Sequence, residues 1–127
     1  MNPKVDSVTN LLQTFLDVQS RRSQVIASNI ANADTPGYTA KKLDFDAYLR
    51  DAARKSELPA RRQTDSSFAS EMRVIDQDAE VVGMDGNTVD TGREMADLAQ
   101  AGSEFNFGAK MLQARFRLIR AAIRDGR

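Results

Sequence analysis

The side chains that could do acid–base chemistry in this 127-residue chain are carboxylates, amines and phenols, because the sequence contains neither cysteine nor histidine. Their absence excludes thiol nucleophiles, imidazole general bases and the usual zinc and haem sites. Paired acids such as Asp76, Asp78 and Glu80 stand in a polar stretch with no evident pocket to separate their pKa values. The residue types therefore predict a protein that is not an enzyme and holds no metal or cofactor.

Acidic and basic residues are unevenly distributed, although the formal net charge is zero. Residues 65–104 carry ten acids against Arg73 and Arg93, whereas residues 110–127 carry six basic residues against Asp125. One interpretation is a set of solvated helix faces, with the basic residues complementing the dipole at a helix C-terminus. The other is that unlike ends of neighbouring copies meet head to tail.

The elements that position these residues are two long helices, one at each end of the chain. In the C-terminal helix the apolar or small residues recur in alternating three- and four-residue steps, as in a coiled-coil seam. This seam comprises Met95, Leu98, Gly102, Phe105, Ala109, Leu112, Phe116, Ile119 and Ile123. Thr91 and Glu94 have the spacing of a capping box, so we expect a helix of roughly 50 Å from about Thr91 to Arg124.

Two glycines interrupt this helix at or beside its seam. Gly102 occupies a seam position and Gly108 flanks another. Each costs about 1 kcal/mol against alanine in a helix interior. The glycines either permit close approach of a second helix or are tolerated defects, and the third alternative is a kink at Gly102.

The N-terminal helix is the natural mate of the C-terminal one. Asn2 and Pro3 suit a helix start, and the helix should run to about Ala33. Its apolar face comprises Val5, Val8, Leu11, Leu12, Phe15, Leu16, Val18, Val25, Ile26 and Ile30. Arg22 and Asn29 fall where this face would place apolar residues. They either fix the register of the seam or face water beyond its end near Val18.

The N-terminal helix should end in a sharp reversal. Thr35 precedes a proline and is therefore pushed out of the helical region, while Pro36 and Gly37 suit the central positions of a type II turn leading into Tyr38. Asn32 can also bond to backbone groups freed around the turn.

Between the helices the chain predicts only small elements. Leu43, Phe45, Tyr48 and Leu49 suit a short amphipathic helix over about residues 45–54, and residues 55–70 are polar enough for a loop. A small β-hairpin could join Met72, Val74 and Ile75 to Val81 and Val82. The predicted fold is mainly α, a coiled-coil hairpin of terminal helices, with residues 1–38, 39–90 and 91–127 as its N-terminal, middle and C-terminal parts.

Residues 28–38 read Ser-Asn-Ile-Ala-Asn-Ala-Asp-Thr-Pro-Gly-Tyr. This order resembles the signature of the flagellar rod, hook and hook-associated axial proteins of bacteria. Residues 85–90, followed by Arg93, Glu94, Met95 and Ala96, are similar to a short basal-body rod protein of that family. The short chain favours a proximal rod protein over the hook and the distal rod protein; another short rod protein, such as FlgC, is an alternative.

The resemblance implies a structural subunit of the proximal rod that self-assembles through its terminal helices and helps to transmit torque from the motor ring to the hook. It implies an assembly motif of Asn29, Asn32, Thr35, Pro36, Gly37 and Tyr38. The seam residues expected to matter most are Leu11, Phe15, Leu98, Phe105, Leu112, Phe116 and Ile119.

The same resemblance implies partners and a location. The partners are other copies of the chain, adjacent rod proteins such as FlgC and FlgF, FliE with the membrane ring, and the flagellar export apparatus; no nucleic acid or small-molecule substrate is expected. Composition alone suggests a cytosolic protein, because the N-terminus lacks a signal-peptide core and no apolar run could span a bilayer. The resemblance instead implies the periplasmic rod, reached by type III export without a cleaved signal.

A helical nucleic-acid-binding module is the alternative from another class. It is motivated by Lys110, Arg115, Arg117, Arg120, Arg124 and Arg127. These residues are spread around the helix, the apolar seam is intact, and the whole chain is neutral rather than basic, all of which disfavours the hypothesis. Membrane binding by the N-terminal helix is disfavoured because its polar face carries acids as well as bases.

Overall fold

The computed structural model describes residues 3–45, 47 and 72–126 of the chain. In chain order the elements are helix α1 (Pro3–Ala31), strand β1 (Lys41–Leu43), strand β2 (Val74–Asp76) and helix α2 (Thr91–Asp125). This confirms the predicted mainly helical architecture with one long helix at each end. Most of the predicted short helix at 45–54, the predicted loop at 55–70 and the predicted cap Asn2 lie outside the described residues.

Helices α1 and α2 pack against each other in antiparallel orientation. Near the start of α1, the Thr9 hydroxyl accepts a hydrogen bond from Arg115 Nε at 3.2 Å. Further along, Gln19 Nε2 donates to Glu104 Oε2 at 2.7 Å, and at the other end of the pair Asn29 Nδ2 donates to Glu94 Oε2 at 3.0 Å. The pairing therefore runs along most of both helices, and these contacts span roughly 30 Å at 1.5 Å per residue.

The helices approach most closely where α2 carries small side chains. Ala101 and Gly108 are buried, and a Cβ atom added to Gly108 would lie 2.8 Å from Phe15 Cδ1 and 3.1 Å from Leu16 Cδ2. Gly108 thus permits close helix approach, one of its two predicted roles. Gly102 does not, because an added Cβ would meet nothing within 4 Å.

This close approach displaces the contact from the predicted seam. The contact with α1 is centred on one row of α2 that consists of Glu94, Ala101, Gly108 and Arg115. The predicted row lies one residue later along the helix and consists of Met95, Gly102, Ala109 and Phe116. The seam positions Phe15, Leu98, Leu112 and Ile119 are half-buried. Phe105 and Phe116 are exposed at its edge, as are Met95 and Ile123, and Leu11, 67% exposed, does not lie between the two helices of one chain.

The start of α2 also differs from the prediction. Asp90, not Thr91, is the N-cap, and its side-chain Oδ1 accepts from the backbone N–H of Arg93 at 3.1 Å. Glu94 therefore does not complete a capping box, and its side chain turns inward toward α1. The predicted end of the helix near Arg124 agrees with the last helical residue, Asp125.

The middle of the chain forms a two-stranded antiparallel sheet, but with a different pairing from the prediction. Strand β2 pairs with β1, with Lys42 opposite Ile75, and not with Val81 and Val82, which are exposed and outside any strand. The Lys41 ammonium also pairs with the Asp76 carboxylate across the two strands. Within the described ranges, neither helix has a stretch long and apolar enough to cross a membrane.

Candidate assembly site

Asn29 is fully buried at the end of α1, where it joins three segments of the chain. Its Nδ2 donates to the Lys41 carbonyl at 2.8 Å and to Glu94 Oε2 at 3.0 Å. Its Oδ1 accepts from the Lys41 N–H at 2.8 Å and from the Tyr38 hydroxyl at 3.2 Å. An asparagine amide offers two donor hydrogens and two acceptor lone pairs, so this side chain is fully satisfied. Of the two predicted roles for Asn29, the structure supports the buried one.

Glu94 contributes a buried carboxyl group from the first turn of α2. The residue is 2% exposed, and burial raises the pKa of this carboxyl above its ordinary value, because the charged form loses hydration. The hydrogen bond from Asn29 opposes that rise but does not cancel it. Glu94 therefore holds the start of α2 against the end of α1 at a cost in desolvation.

The turn after α1 has the geometry predicted for it. The Tyr38 N–H donates to the Thr35 carbonyl at 3.2 Å, and Gly37 has φ of 70°. A positive φ at the third position is the requirement of a type II turn and favours glycine. The turn returns the chain toward the helix, so that the Tyr38 hydroxyl can reach Asn29.

Asn87 fastens the segment before α2 to this turn. Its Nδ2 lies within 2.9 Å of the carbonyl oxygens of Asn32 and Ala33 and 2.8 Å from that of Thr35. Its Oδ1 accepts from the Val89 N–H at 2.8 Å. All three carbonyls lie in the turn just beyond Ala31, the last residue of α1. Asn87 therefore ties this turn to the segment before α2.

Backbone hydrogen bonds complete the connection between these two segments. The Gly37 N–H donates to the Asp85 carbonyl at 2.9 Å, and the Thr88 N–H donates to the Tyr38 carbonyl at 3.0 Å. The Thr88 hydroxyl accepts from the Ala40 N–H at 2.8 Å. We call the four side chains of Asn29, Tyr38, Asn87 and Glu94 the polar lock, because together they fix where α2 begins relative to where α1 ends.

Arg22 lies on the helix pair farther from the turn, in a layer of polar residues. Its guanidinium is 3.6 Å from Glu104 Oε2 and 3.8 Å from Asp97 Oδ1. All three side chains are about one-third exposed, so such pairs contribute on the order of 0.2–1 kcal/mol each. Arg22 thus sits at the edge of the helix contact, paired to α2.

The structure brings together part of the predicted assembly motif. Asn29 and Tyr38 meet in the polar lock. Asn32 donates to the Ser28 carbonyl at 2.7 Å and accepts from the Thr35 hydroxyl at 3.3 Å, and it is more exposed than Asn29. Pro36 and Gly37 are exposed in the turn. These residues therefore divide into two that meet in the polar lock, buried Asn29 and half-buried Tyr38, and an outer turn.

Sequence reasoning missed the roles of Asn87 and Glu94. The sequence pattern gives Asn87 no place in the assembly motif, and it gives Glu94 only the role of a helix cap. The one available signal was that Glu94 lies seven residues before Ala101, which lies seven before Gly108. The two small residues Ala101 and Gly108, one heptad apart, could have identified the row of α2 that faces α1.

Comparison with known proteins identifies relatives along most of the chain. A family model described as flagella basal body rod protein matches residues 16–39, which include the second half of α1 and the turn. Flagellar basal body rod protein FlgB of Escherichia coli (strain K12) is 28% identical over 141 aligned residues, covering 99% of each chain. FlgB of Borrelia hermsii is 36% identical over 104 residues, covering 72% of this chain and 76% of its own. FlgB of Salmonella typhimurium (strain LT2) is 27% identical over 141 residues, covering 99% of each chain.

Proposed function

Because the chain belongs to the FlgB family of flagellar basal body rod proteins, and is a structural subunit of the proximal rod, we propose that it assembles through the outer faces of its helix pair. In this proposal the polar lock holds α1 and α2 in a single register. The assembled rod then presents one repeated surface rather than a mixture of slipped hairpins.

The observation that carries this proposal is the fully satisfied amide of buried Asn29. A one-residue slip between the helices would separate this amide from Glu94 and leave buried polar groups unpaired. Each such group costs about 1–3 kcal/mol. Asn29 belongs to one of the two sequence stretches that carry the family resemblance, and Glu94 belongs to the other. The cost of separating them supports the proposal that these stretches fix the register of α1 against α2.

Apolar side chains left outside the helix pair support assembly through the outer faces. Phe105, Phe116 and Ile123 lie at the edge of the contact with α1 and remain exposed. Exposed apolar surface of this kind marks sites of protein association. Packing in the rod would bury these side chains, and a rigid array of such helices would help to transmit torque from the motor ring to the hook.

Location in the flagellar basal body and association with other rod components follow from the family. The finer assignments are part of the proposal: neighbours that include FlgC, FlgF, FliE and the membrane ring, a position in the periplasmic part of the rod, and passage through the flagellar type III export apparatus without a cleaved signal. The relatives named above are FlgB proteins, which disfavours both the FlgC identity and the nucleic-acid-binding module considered from sequence.

Deletion of the gene, followed by complementation, tests the proposal. Cells lacking the gene should be non-motile and should yield basal bodies without a complete rod, and the wild-type gene should restore both. Antibody labelling should then place the chain in isolated basal bodies. Complete rods in the deletion strain, or basal bodies from complemented cells that lack the chain, would contradict the proposed function.

A further inference from the structure

A second apolar stripe runs along α2 on a side that does not face α1. We call it the outer stripe; it consists of Phe107, Met111, Ala114, Leu118 and Ala121. Its members recur in steps of four and three residues, as residues on one helical face do. Phe107 is 64% exposed and Leu118 is 71% exposed. Met111 is exposed as well, whereas Ala114 and Ala121 are half-buried. The intramolecular helix contact therefore leaves the three large side chains of the outer stripe exposed.

Basic residues border the outer stripe along one edge. Lys110 lies three residues after Phe107 and four before Ala114, so it neighbours both on the helix surface. Arg117 stands in the same relation to Ala114 and Ala121. Both basic side chains are exposed. The stripe is thus an apolar row with a positive border, which fits an apolar partner that carries acids.

The opposite end of the molecule presents a segment of that chemistry. In residues 81–85, Val81 is 76% exposed and Met84 is completely exposed, and the acids Asp78, Glu80 and Asp85 surround them. We call residues 78–85 the acidic tip. Its carboxylates are largely exposed, with Asp78 and Glu80 reaching Lys42 and Arg93 only at the surface.

The acidic tip is held in place by its backbone. The Gly83 N–H donates to the Asn87 carbonyl at 2.8 Å, and the Gly86 N–H donates to the Gly83 carbonyl at 2.9 Å. The bond from Gly37 to the Asp85 carbonyl fixes the tip beside the end of α1. Met84 is therefore exposed to solvent on an ordered turn. An exposed apolar side chain in this position does not stabilise the fold of its own chain.

The two surfaces cannot meet within one molecule. The acidic tip lies beside the start of α2 at Thr91. The outer stripe begins at Phe107, 16 residues farther along the helix, and Leu118 lies 27 residues from Thr91. At 1.5 Å per residue, these separations are about 25 and 40 Å. Two surfaces that match in apolar character and oppose in charge can therefore join only separate molecules.

We propose that the acidic tip of one copy docks on the outer stripe of the next copy. This inference rests on the proposed function, in which copies are neighbours in the rod. Because the two surfaces differ, each copy offers one free tip and one free stripe, so the contact is heterologous and repeats from copy to copy instead of closing a symmetric dimer. Met84 fills the stripe between Met111 and Leu118, while Asp78 and Glu80 face Lys110 and Arg117.

Cysteine cross-linking of purified full-length chains tests this docking, because the natural sequence contains no cysteine. A Met84→Cys chain is mixed with a mass-tagged Leu118→Cys chain under mild oxidation. The matched control is Asn106→Cys, an exposed position five residues from Met111 and hence about 140° away around α2. We expect the mixed disulfide of the first pair to exceed that of Met84→Cys with Asn106→Cys at least fivefold, and to decrease at high salt.

Equal yields for the two mixtures would overturn the docking, whatever the oligomeric state of the chain. A second arm places a photo-reactive residue at Leu118 in cells and identifies its product in isolated basal bodies. A product joining two copies supports the inference, and a product with a different rod protein overturns it while leaving the proposed function intact. Absence of the chain from the basal bodies would instead contradict the proposed function.

Discussion

The buried side chain of Asn29 makes four hydrogen bonds, so the loss of stability on its replacement should depend on which of these bonds the new side chain can still make. Asn29→Ala leaves the Lys41 backbone and the Tyr38 hydroxyl without this partner, and should lower the free energy of unfolding by about 3 kcal/mol or more. Asn32→Ala is the matched control, because Asn32 bonds mainly within its own turn, and should cost about 1 kcal/mol. Urea denaturation followed by circular dichroism measures both, and equal losses would contradict the lock.

Asn29→Asp gives a sharper version of this prediction. An ionised aspartate cannot donate to Glu94 and would place a second carboxylate at hydrogen-bond distance from it. The variant should be less stable than Asn29→Ala at neutral pH and should regain stability in acid, where a protonated carboxyl can donate again. Thermal melts from pH 4 to pH 8 would show this, and a pH-independent loss would count against direct contact with Glu94.

Glu94 makes its own contribution to pH dependence. Burial raises the pKa of this carboxyl in the folded state, so its protonated form is favoured by folding. The stabilising contribution is therefore complete below the unfolded-state pKa and is lost as pH rises through the raised folded-state pKa. Glu94→Gln keeps a group that can accept from Asn29 without the charge. We expect the free energy of unfolding of Glu94→Gln to increase relative to that of the wild type as the pH rises from 4 to 7.

Glu94→Ala is the comparison for that variant. It removes the acceptor as well as the charge, so it should be destabilised by about 1–3 kcal/mol across the same range. If Glu94→Gln instead lost stability relative to the wild type with rising pH, the carboxylate would be the favoured form and the burial argument would be wrong.

At the level of single residues, sequence predicted the turn but not its partners. Thr35, Pro36 and Gly37 dictate their own geometry through local sterics, which is why the turn was predictable. The contact between Asn29 and Glu94 joins residues 65 positions apart, and no local rule specifies which distant polar group will meet a buried amide. Glu94 had a plausible local role as a cap, and the tertiary contact with Asn29 prevailed over it.

The two glycines of α2 give a matched test of the helix pairing. Gly108→Ala gains about 1 kcal/mol of helix propensity, but its methyl group would lie within 2.8 Å of the Phe15 ring, and overpacking costs about 1–3 kcal/mol. Gly102→Ala gains the same propensity and meets nothing. We expect Gly108→Ala to lower the melting temperature and Gly102→Ala to raise it. Stabilisation by both substitutions would show that α1 does not approach Gly108.

Phe116 lies at the exposed edge of the helix pair, so its replacement should separate assembly from folding. Phe116→Asp should lower the free energy of unfolding of the free chain by about 1–2 kcal/mol, because a side chain that is 39% exposed contributes only part of its full burial energy. In the rod it would bury an unpaired charge and should prevent assembly. Phe116→Leu is the control that keeps an apolar side chain. Motility in soft agar measures the outcome, and a motile Phe116→Asp strain would contradict assembly through this edge.

Helical periodicity predicted the bounds of α2 within a few residues. It placed the row of α2 that faces α1 one residue too far toward the C-terminus. Large apolar residues dominate a pattern search, so the seam was assigned to Met95 and Phe116. The closest approach depends instead on the smallest side chains, Ala101 and Gly108, which periodicity weighs least. The β-branched residues Val74 and Ile75 predict the strand at Val74–Asp76. Its pairing with Lys41–Leu43 is non-local, and neither segment has a sequence feature that predicts the other as its partner.

The whole molecule leaves many large apolar side chains exposed, which bears on the stability of a single copy. An isolated helix pair buries one contact face, and helical stability in proteins comes mainly from such packing. We expect the free chain to show slow amide exchange around the polar lock and to fray at the helix ends far from it. Circular dichroism melts and hydrogen exchange on dilute protein measure this; uniform protection to both helix ends would contradict it.

The most direct test of the account is a structure of the intact rod determined by electron cryomicroscopy at side-chain resolution. Each copy in the rod should keep the antiparallel helix pair, with Asn29 in contact with Glu94 and Phe15 against Gly108, while Phe105 and Phe116 are covered by neighbouring subunits. Density showing the two helices of one copy apart, or the same apolar side chains still exposed to solvent, would contradict it.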